Sequence, residues 1–176
     1  NETGKPQHAY DLLSQYKIQD DVDLAIKVQL FIILGDCATR LGRIDEAERV
    51  LSDSLDLSIS SNEAALRGKS ELALGSLRQL QGRWNQANKL YLSALRYCFQ
   101  VEDLVNAGIL LNSIGYIHCL KGDYISGRNS CSQALDIFEK ISRLREKAMV
   151  FSTLGEIYTA SEQFEEAMRN YSQAME

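Results

Sequence analysis

At 176 residues and 19.8 kDa, the chain has the size of one ordinary domain, enough to bury roughly 70% of the surface its unfolded form exposes. Its 45% hydrophobic and 24% charged residues exclude a disordered chain. Its net charge of −5, with basic residues scattered singly and the Arg143, Arg145, Lys147 cluster interrupted by Glu146, excludes the basic stripe of a nucleic-acid binder.

A single proline and few strand signals favour helices throughout. The longest strictly apolar run, Leu30 to Gly35, is too short to span a bilayer. The first predicted element is a helix near 7–18, within an N-terminal segment 7–20, with Pro6 suited to its first turn. Helices then alternate in pairs. First helices are predicted near 22–41, 62–81, 102–121 and 142–161, and second helices near 44–59, 84–99, 124–139 and 164–176. Ser60-Ser61-Asn62-Glu63 reads as a capping box that starts the second of the first helices. In the last helix Phe164, Ala167, Met168, Tyr171, Ala174 and Met175 form one apolar stripe at helical period.

The pairs repeat at a lag of 40 residues. Leu34-Gly35, Leu74-Gly75, Ile114-Gly115 and Leu154-Gly155 stand 40 apart. Small residues follow at Ala47, Ala87, Gly127 and Ala167, and again at Ser54, Ala94, Ala134 and Ala174. Ile44, Trp84, Tyr124 and Phe164 open the second halves and are expected to clamp the turn. Gly42, Gly82 and Gly122 precede three of them, with Glu162 before the fourth. A glycine inside a helix costs about 1 kcal/mol against alanine, so Gly35 and its equivalents imply a close backbone-to-backbone approach. Gly42, Gly82 and Gly122 suit a left-handed position that ends a helix. The units are therefore 22–60, 61–100, 101–140 and 141–176, within one domain spanning 1–176. The chain starts at Asn1 and stops inside a helical pattern at Glu176, so it reads as a piece of a longer protein.

Four cysteines, Cys37, Cys98, Cys119 and Cys131, lie inside apolar helical patterns and read as buried free thiols of a reducing, cytoplasmic setting. No C-x-x-C, H-E-x-x-H or phosphate-loop motif is present, and the two histidines, His8 and His118, stand 110 residues apart. No metal, no cofactor and no catalytic activity are expected. His118 reads as a packed interface histidine. Asp20-Asp21 and Glu165-Glu166 read as acidic helix starts that complement the helix dipole.

At these columns the chain resembles the tetratricopeptide repeat family. Ala87-x3-Tyr91 and Ala167-x3-Tyr171 match its second-helix signature, and Leu154-Gly155-x2-Tyr158 matches its first-helix signature. The family's tryptophan position holds Phe31, Glu71, Leu111 and Phe151, its tyrosine position holds Ala38, Arg78, His118 and Tyr158, and the closing proline is absent. The period of 40 rather than about 34 implies longer helices. This longer format is similar to spindle-orientation adaptors, kinesin light chains and the sensor domains of bacterial regulators. The resemblance implies an all-α fold, an α-α superhelix of antiparallel helix pairs with about four repeats and one N-terminal helix.

It also implies that first helices line a concave face. The expected partner-binding residues are Gln29, Asp36 and Arg40 in the first unit, and Lys69, Ser76 and Gln79 in the second. Asn112 and Tyr116 follow in the third, and Met149 and Glu156 in the fourth. Tyr116 is the expected anchor, Asn112 is expected to hold partner backbone, and Arg40 and Lys69 are expected to receive an acidic side chain. The lysine-and-asparagine clamp of chaperone-tail binders is not recognisable. The function implied is a non-catalytic scaffold that binds a peptide or helical segment, from another protein or from another domain of the parent chain. Alternatives are a sensor or regulatory domain for a small molecule or peptide, and a structural self-association module dimerising through the bare last helix. Neither nucleic acid nor membrane is an expected partner.

Overall fold

The computed structural model describes residues 4–15 and 22–176. Among these residues there are nine helices and no strand. They are α1 (Gly4–Gln15), α2 (Leu24–Arg40), α3 (Ile44–Ser60), α4 (Ala64–Leu80), α5 (Trp84–Gln100), α6 (Leu104–Leu120), α7 (Tyr124–Lys140), α8 (Leu144–Ala160) and α9 (Phe164–Ala174). Each of α2 to α8 has 17 residues, and three-residue connectors join them. The repeat of 40 is therefore two half-periods of 20, each a helix plus its connector.

The connectors explain the regularity. At the end of α2 the Gly42 N–H donates to Thr39 O at 3.0 Å and the Arg43 N–H donates to Ala38 O at 2.9 Å, which is a Schellman closure. Gly42, Gly82 and Gly122 have φ of +74°, +71° and +79°, as their positions predict. The same turn recurs without glycine at Asn62, Glu102, Ser142 and Glu162, with φ of 55° to 60°. At Asn62, Glu102 and Ser142 these left-handed turns, each followed by a cap residue, precede the first helices that start at Ala64, Leu104 and Leu144, and Glu162 precedes α9; the first helices, α2 at Leu24 included, begin two residues later than predicted. Asp23, Asp103 and Asp123 cap their helices through the side chain.

The predicted capping box does not form. Ser60 is the last residue of α3, and its hydroxyl donates to Asp56 O at 2.9 Å. Glu63 caps α4 with backbone alone, its N–H donating to Ser61 Oγ at 3.2 Å. The N-terminal helix begins at Gly4, three residues earlier than predicted, and holds Pro6 in its first turn. Residues 16–20 of the predicted segment, and Asp20-Asp21, lie outside the described residues. Gly4 stands 40 residues before Ile44, so α1 has the column position of a second helix.

The chain divides into two compact units, Asn1–Tyr97 and Cys98–Glu176. In the first, α1 packs on α2, α2 on α3 and α4, and α3 on α4. Tyr10, Cys37, Ala38, Ala47, Leu51, Leu74 and Leu77 make its core, with Ile44 packed against it. The Arg43 guanidinium lies 4.3 Å over the Tyr10 ring, and the Tyr10 hydroxyl donates to Glu46. In the second unit α6 packs on α7 and α8, α7 on α8, and α8 on α9. Leu110, Ile114, Ile117, Ala134, Phe138, Val150 and Ile157 are buried there.

The repeated first-helix glycines pack differently from the expectation. A β-carbon at Gly35, Gly75 or Gly155 would sit 2.5 Å from the Leu51, Tyr91 or Tyr171 side chain. In three pairs the glycine is thus a slot for a second-helix side chain, not a backbone contact. Only in the α6–α7 pair does backbone meet backbone, with Gly127 O 2.9 Å from the position of a Gly115 β-carbon. The small residue Cys131 stands there where the other pairs carry Leu or Tyr, so the two helices close the gap themselves. Among the residues opening second helices, Trp84 and Phe164 stay 38% and 62% exposed, so neither is a closed clamp.

Candidate interaction surface

In the first unit α2 and α4 carry six of the predicted binding residues. Gln29, Asp36, Arg40 and Ser76 are exposed, and Lys69 and Gln79 are half-buried. Asp36 Oδ2 lies 3.0 Å from Arg40 Nε, in an exposed i,i+4 pair that contributes little stability. Arg40 therefore already has an acidic neighbour in its own helix. In the second unit Tyr116 is half-buried, while Met149 and Glu156 are exposed. Asn112 is only 7% exposed, and its Oδ1 accepts from Cys131 Sγ at 3.8 Å. Its amide faces α7, so its side chain belongs to helix packing.

One feature of this surface escapes the sequence reading. Tyr91 lies on a second helix and is 1% exposed. Its ring fills the Gly75 slot, and its hydroxyl emerges among α4 side chains, donating to Gln79 Oε1 at 3.0 Å and reaching Ser76 Oγ at 3.3 Å. Tyr171 passes Gly155 in the same way and meets Thr159 Oγ1 at 3.5 Å. The signal was present in the A-x3-Y motif, where the tyrosine reads as packing and its polar tip goes unused.

Charged groups behind the surface are mostly paired. Arg78 Nη1 lies 2.8 Å from Glu48 Oε2, and Gln81 Nε2 donates to the same oxygen at 2.9 Å. These contacts, the Arg78 hydrogen bond first, pull the Glu48 carboxyl down to about 2. His118 Nδ1 stands 3.3 Å from Asp123 Oδ2. Asp123 is held below the usual carboxylate range, first by hydrogen bonds from Ser126 and then by His118. Glu71 is 4% exposed; Arg67 Nε meets its Oε1 at 3.1 Å, and its Oε2 has no hydrogen-bond partner among the described residues.

Cys37, Cys98 and Cys131 are buried and in no disulfide, as expected. Cys119 is only half-buried, because it lies at the end of α6 just before the connector. Burial raises the thiols of Cys37, Cys119 and Cys131, the last to about 12, so none of the three is a poised thiolate. Among the described residues no group of three or more His, Cys, Asp or Glu is placed to hold a metal ion. No described helix is long and apolar enough to cross a membrane.

The tetratricopeptide repeat family model matches residues 106–176. No curated protein sequence matches the chain significantly. Among solved structures, BtubC (BKLC) from P. vanneervenii is 17% identical with a TM-score of 0.79, over 99% of this chain and 72% of that one. A signal-transduction ATPase of the STAND class from Pyrococcus horikoshii, which has a tetratricopeptide repeat sensor, is 20% identical with a TM-score of 0.82 over 98% of this chain. A Rap protein complexed with competence and sporulation factor is 17% identical with a TM-score of 0.81 over 98% of this chain. The chain spans only 27% of the STAND protein and 47% of the Rap protein. At these identities the likeness is one of fold. Residues 106–176 match the tetratricopeptide repeat family model, and the chain shares the all-α solenoid fold of these structures along nearly its whole length.

Proposed function

We propose that the chain is a non-catalytic interaction module that binds a peptide or helical segment on its first-helix face. The partner is another protein or another domain of the parent chain. The observation that carries this reading is a division of labour within each repeat. Residues of the small-residue columns, such as Ala47, Ala87, Ala134 and Ala167, are buried against neighbouring helices. The first-helix columns meanwhile present Gln29, Ser76, Met149 and Glu156 to solvent. Separated polar anchors beside aliphatic side chains such as Leu80 and Leu120, 64% and 37% exposed, suit an extended peptide. Cysteines outside any disulfide support the reading that it works in a reducing compartment.

A regulatory sensor domain is the second reading. It draws on the STAND protein's tetratricopeptide repeat sensor and on the Rap protein's bound factor. Thermal unfolding against sugars, nucleotides and short peptides separates the two. A shift with peptides alone supports the interaction module, and a shift with sugars or nucleotides but no peptide replaces it with the sensor. Self-association is the third reading, drawing on the exposed Phe164, Met168 and Met175 of α9. Light scattering at several concentrations tests it.

A further inference from the structure

The geometry points to Tyr91 as a positioning residue that turns Gln79 into a fixed hydrogen-bond donor, making the second repeat's first-helix face selective for an acceptor, a carboxylate or carbonyl of the bound peptide. The inference rests on the interaction reading above and specifies its chemistry.

The argument starts at Gly75. With no side chain there, the Tyr91 ring occupies the space of a β-carbon, 2.5 Å from Cε1. The ring thereby crosses the α4–α5 interface, and its hydroxyl emerges beside Ser76 and Gln79. Ser76 has already committed its proton, donating to Leu72 O at 3.0 Å. The single phenol proton goes to Gln79 Oε1, the shorter contact at 3.0 Å. An amide has one acceptor oxygen and two N–H donors. Anchoring the oxygen leaves the NH2 group as the outward half, and it has no acceptor among the described residues. A buried phenol held in a slot has lost its rotational freedom, so it orients the amide at little further entropic cost.

Other repeats lack this arrangement. Leu51 and Cys131 occupy the equivalent slots without a hydroxyl that could reach out. Tyr171 meets Thr159, whose hydroxyl donates to Gly155 O at 2.8 Å, so no amide is oriented there. The donor is thus particular to the second repeat. Lys69, on the same helix, makes no ion pair among the described residues and adds a second donor of the same preference.

Two measurements on the full chain test this, with Tyr91→Phe keeping the ring and removing only the hydroxyl. The first needs no ligand. The Gln79 side-chain NH2 resonances, assigned by their loss in Gln79→Ala, are expected to stand apart from those of exposed glutamines and to collapse toward them in Tyr91→Phe. Resonances at the exposed position in the native chain, or unchanged in the variant, overturn the positioning role. The second uses an array of short capped peptides differing only in a central Asp, Asn or Lys. The native chain is expected to retain Asp and Asn peptides about tenfold better than Lys peptides, and Tyr91→Phe to reduce that ratio to about threefold or less while still binding. An equal ratio in both proteins overturns the assigned selectivity. Failure of the native chain to retain any peptide overturns the interaction reading itself, and the amide resonances separately decide whether Tyr91 fixes Gln79.

Discussion

Gly108 and Phe138 fit as slot and wedge: a β-carbon at residue 108 would stand 2.5 Å from Phe138 Cζ and 2.7 Å from Cε1. Phe138 is fully buried, and its rigid ring cannot bend away as a longer aliphatic chain would. Helix propensity alone favours alanine over glycine by about 1 kcal/mol. Overpacking a closed core costs about 1–3 kcal/mol. Gly108→Ala is therefore expected to lower stability by up to about 2 kcal/mol, read as a lower urea midpoint. Adding Phe138→Leu is expected to recover part of the loss, because the shorter side chain vacates the slot.

The left-handed connectors separate conformational strain from packing. Gly82 has φ +71° and nothing within 4 Å of an added β-carbon, so Gly82→Ala costs only backbone strain, about 1 kcal/mol. Glu162 holds the same turn with φ 60° and no glycine. Glu162→Gly relieves that strain and is expected to stabilise by about 0.5 kcal/mol, after the entropy that glycine adds to the unfolded chain. Thermal unfolding of both variants checks the opposite signs.

Glu48 makes stability depend on pH in the acid range. Its carboxyl is lowered from 4.5 to about 2 by Arg78, Gln81 and Arg83. A carboxyl with a depressed folded value contributes stability that is complete above the unfolded value and lost as pH falls through the folded one. The contribution is thus present above pH about 4.5 and declines toward pH 2. The pair is partly solvated, with Glu48 34% exposed, so its size is that of a modest salt bridge. Glu48→Gln is expected to flatten this part of the stability profile, measured by urea unfolding between those two pH values.

The thiols differ in reactivity for the same reason that they differ in burial. Cys131 is pushed up to about 12 and is fully buried, so at pH 8 it holds almost no thiolate and iodoacetamide cannot reach it. Cys119 is half-buried and raised to a lesser degree. Mass spectrometry of the native chain is expected to find Cys119 alkylated first and Cys131 only on unfolding.

The repeat was legible in the sequence because its columns are chemical necessities. Gly35, Gly75, Gly115 and Gly155 could only be explained by something occupying the missing side chain's place, and Gly42, Gly82 and Gly122 by left-handed backbone. What occupies the first set was not legible. Leu51, Tyr91 and Tyr171 reach from a helix 16 residues away, and pattern alone does not distinguish a side-chain wedge from a backbone contact. The half-period of 20 was hidden because Asn62, Glu102 and Ser142 adopt a glycine-like turn without glycine. Glu71 and Asn112 were hidden differently: polar residues in apolar neighbourhoods look outward-facing until the packing is known. On the candidate surface the sequence gives columns, while hydrogen bonding decides which members are committed, as with Asp36 to Arg40 and Tyr91 to Gln79.

The central claim is that second helices are held in glycine slots while the first-helix face is left for a partner. A peptide selected by display and titrated into the isotope-labelled chain tests it most directly. The account predicts resonance shifts concentrated at first-helix residues, Gln29, Lys69, Ser76 and Gln79 in the first unit or Tyr116 and Met149 in the second. Shifts confined to the outer sides of α3, α5 and α7, with those residues unmoved, would contradict it.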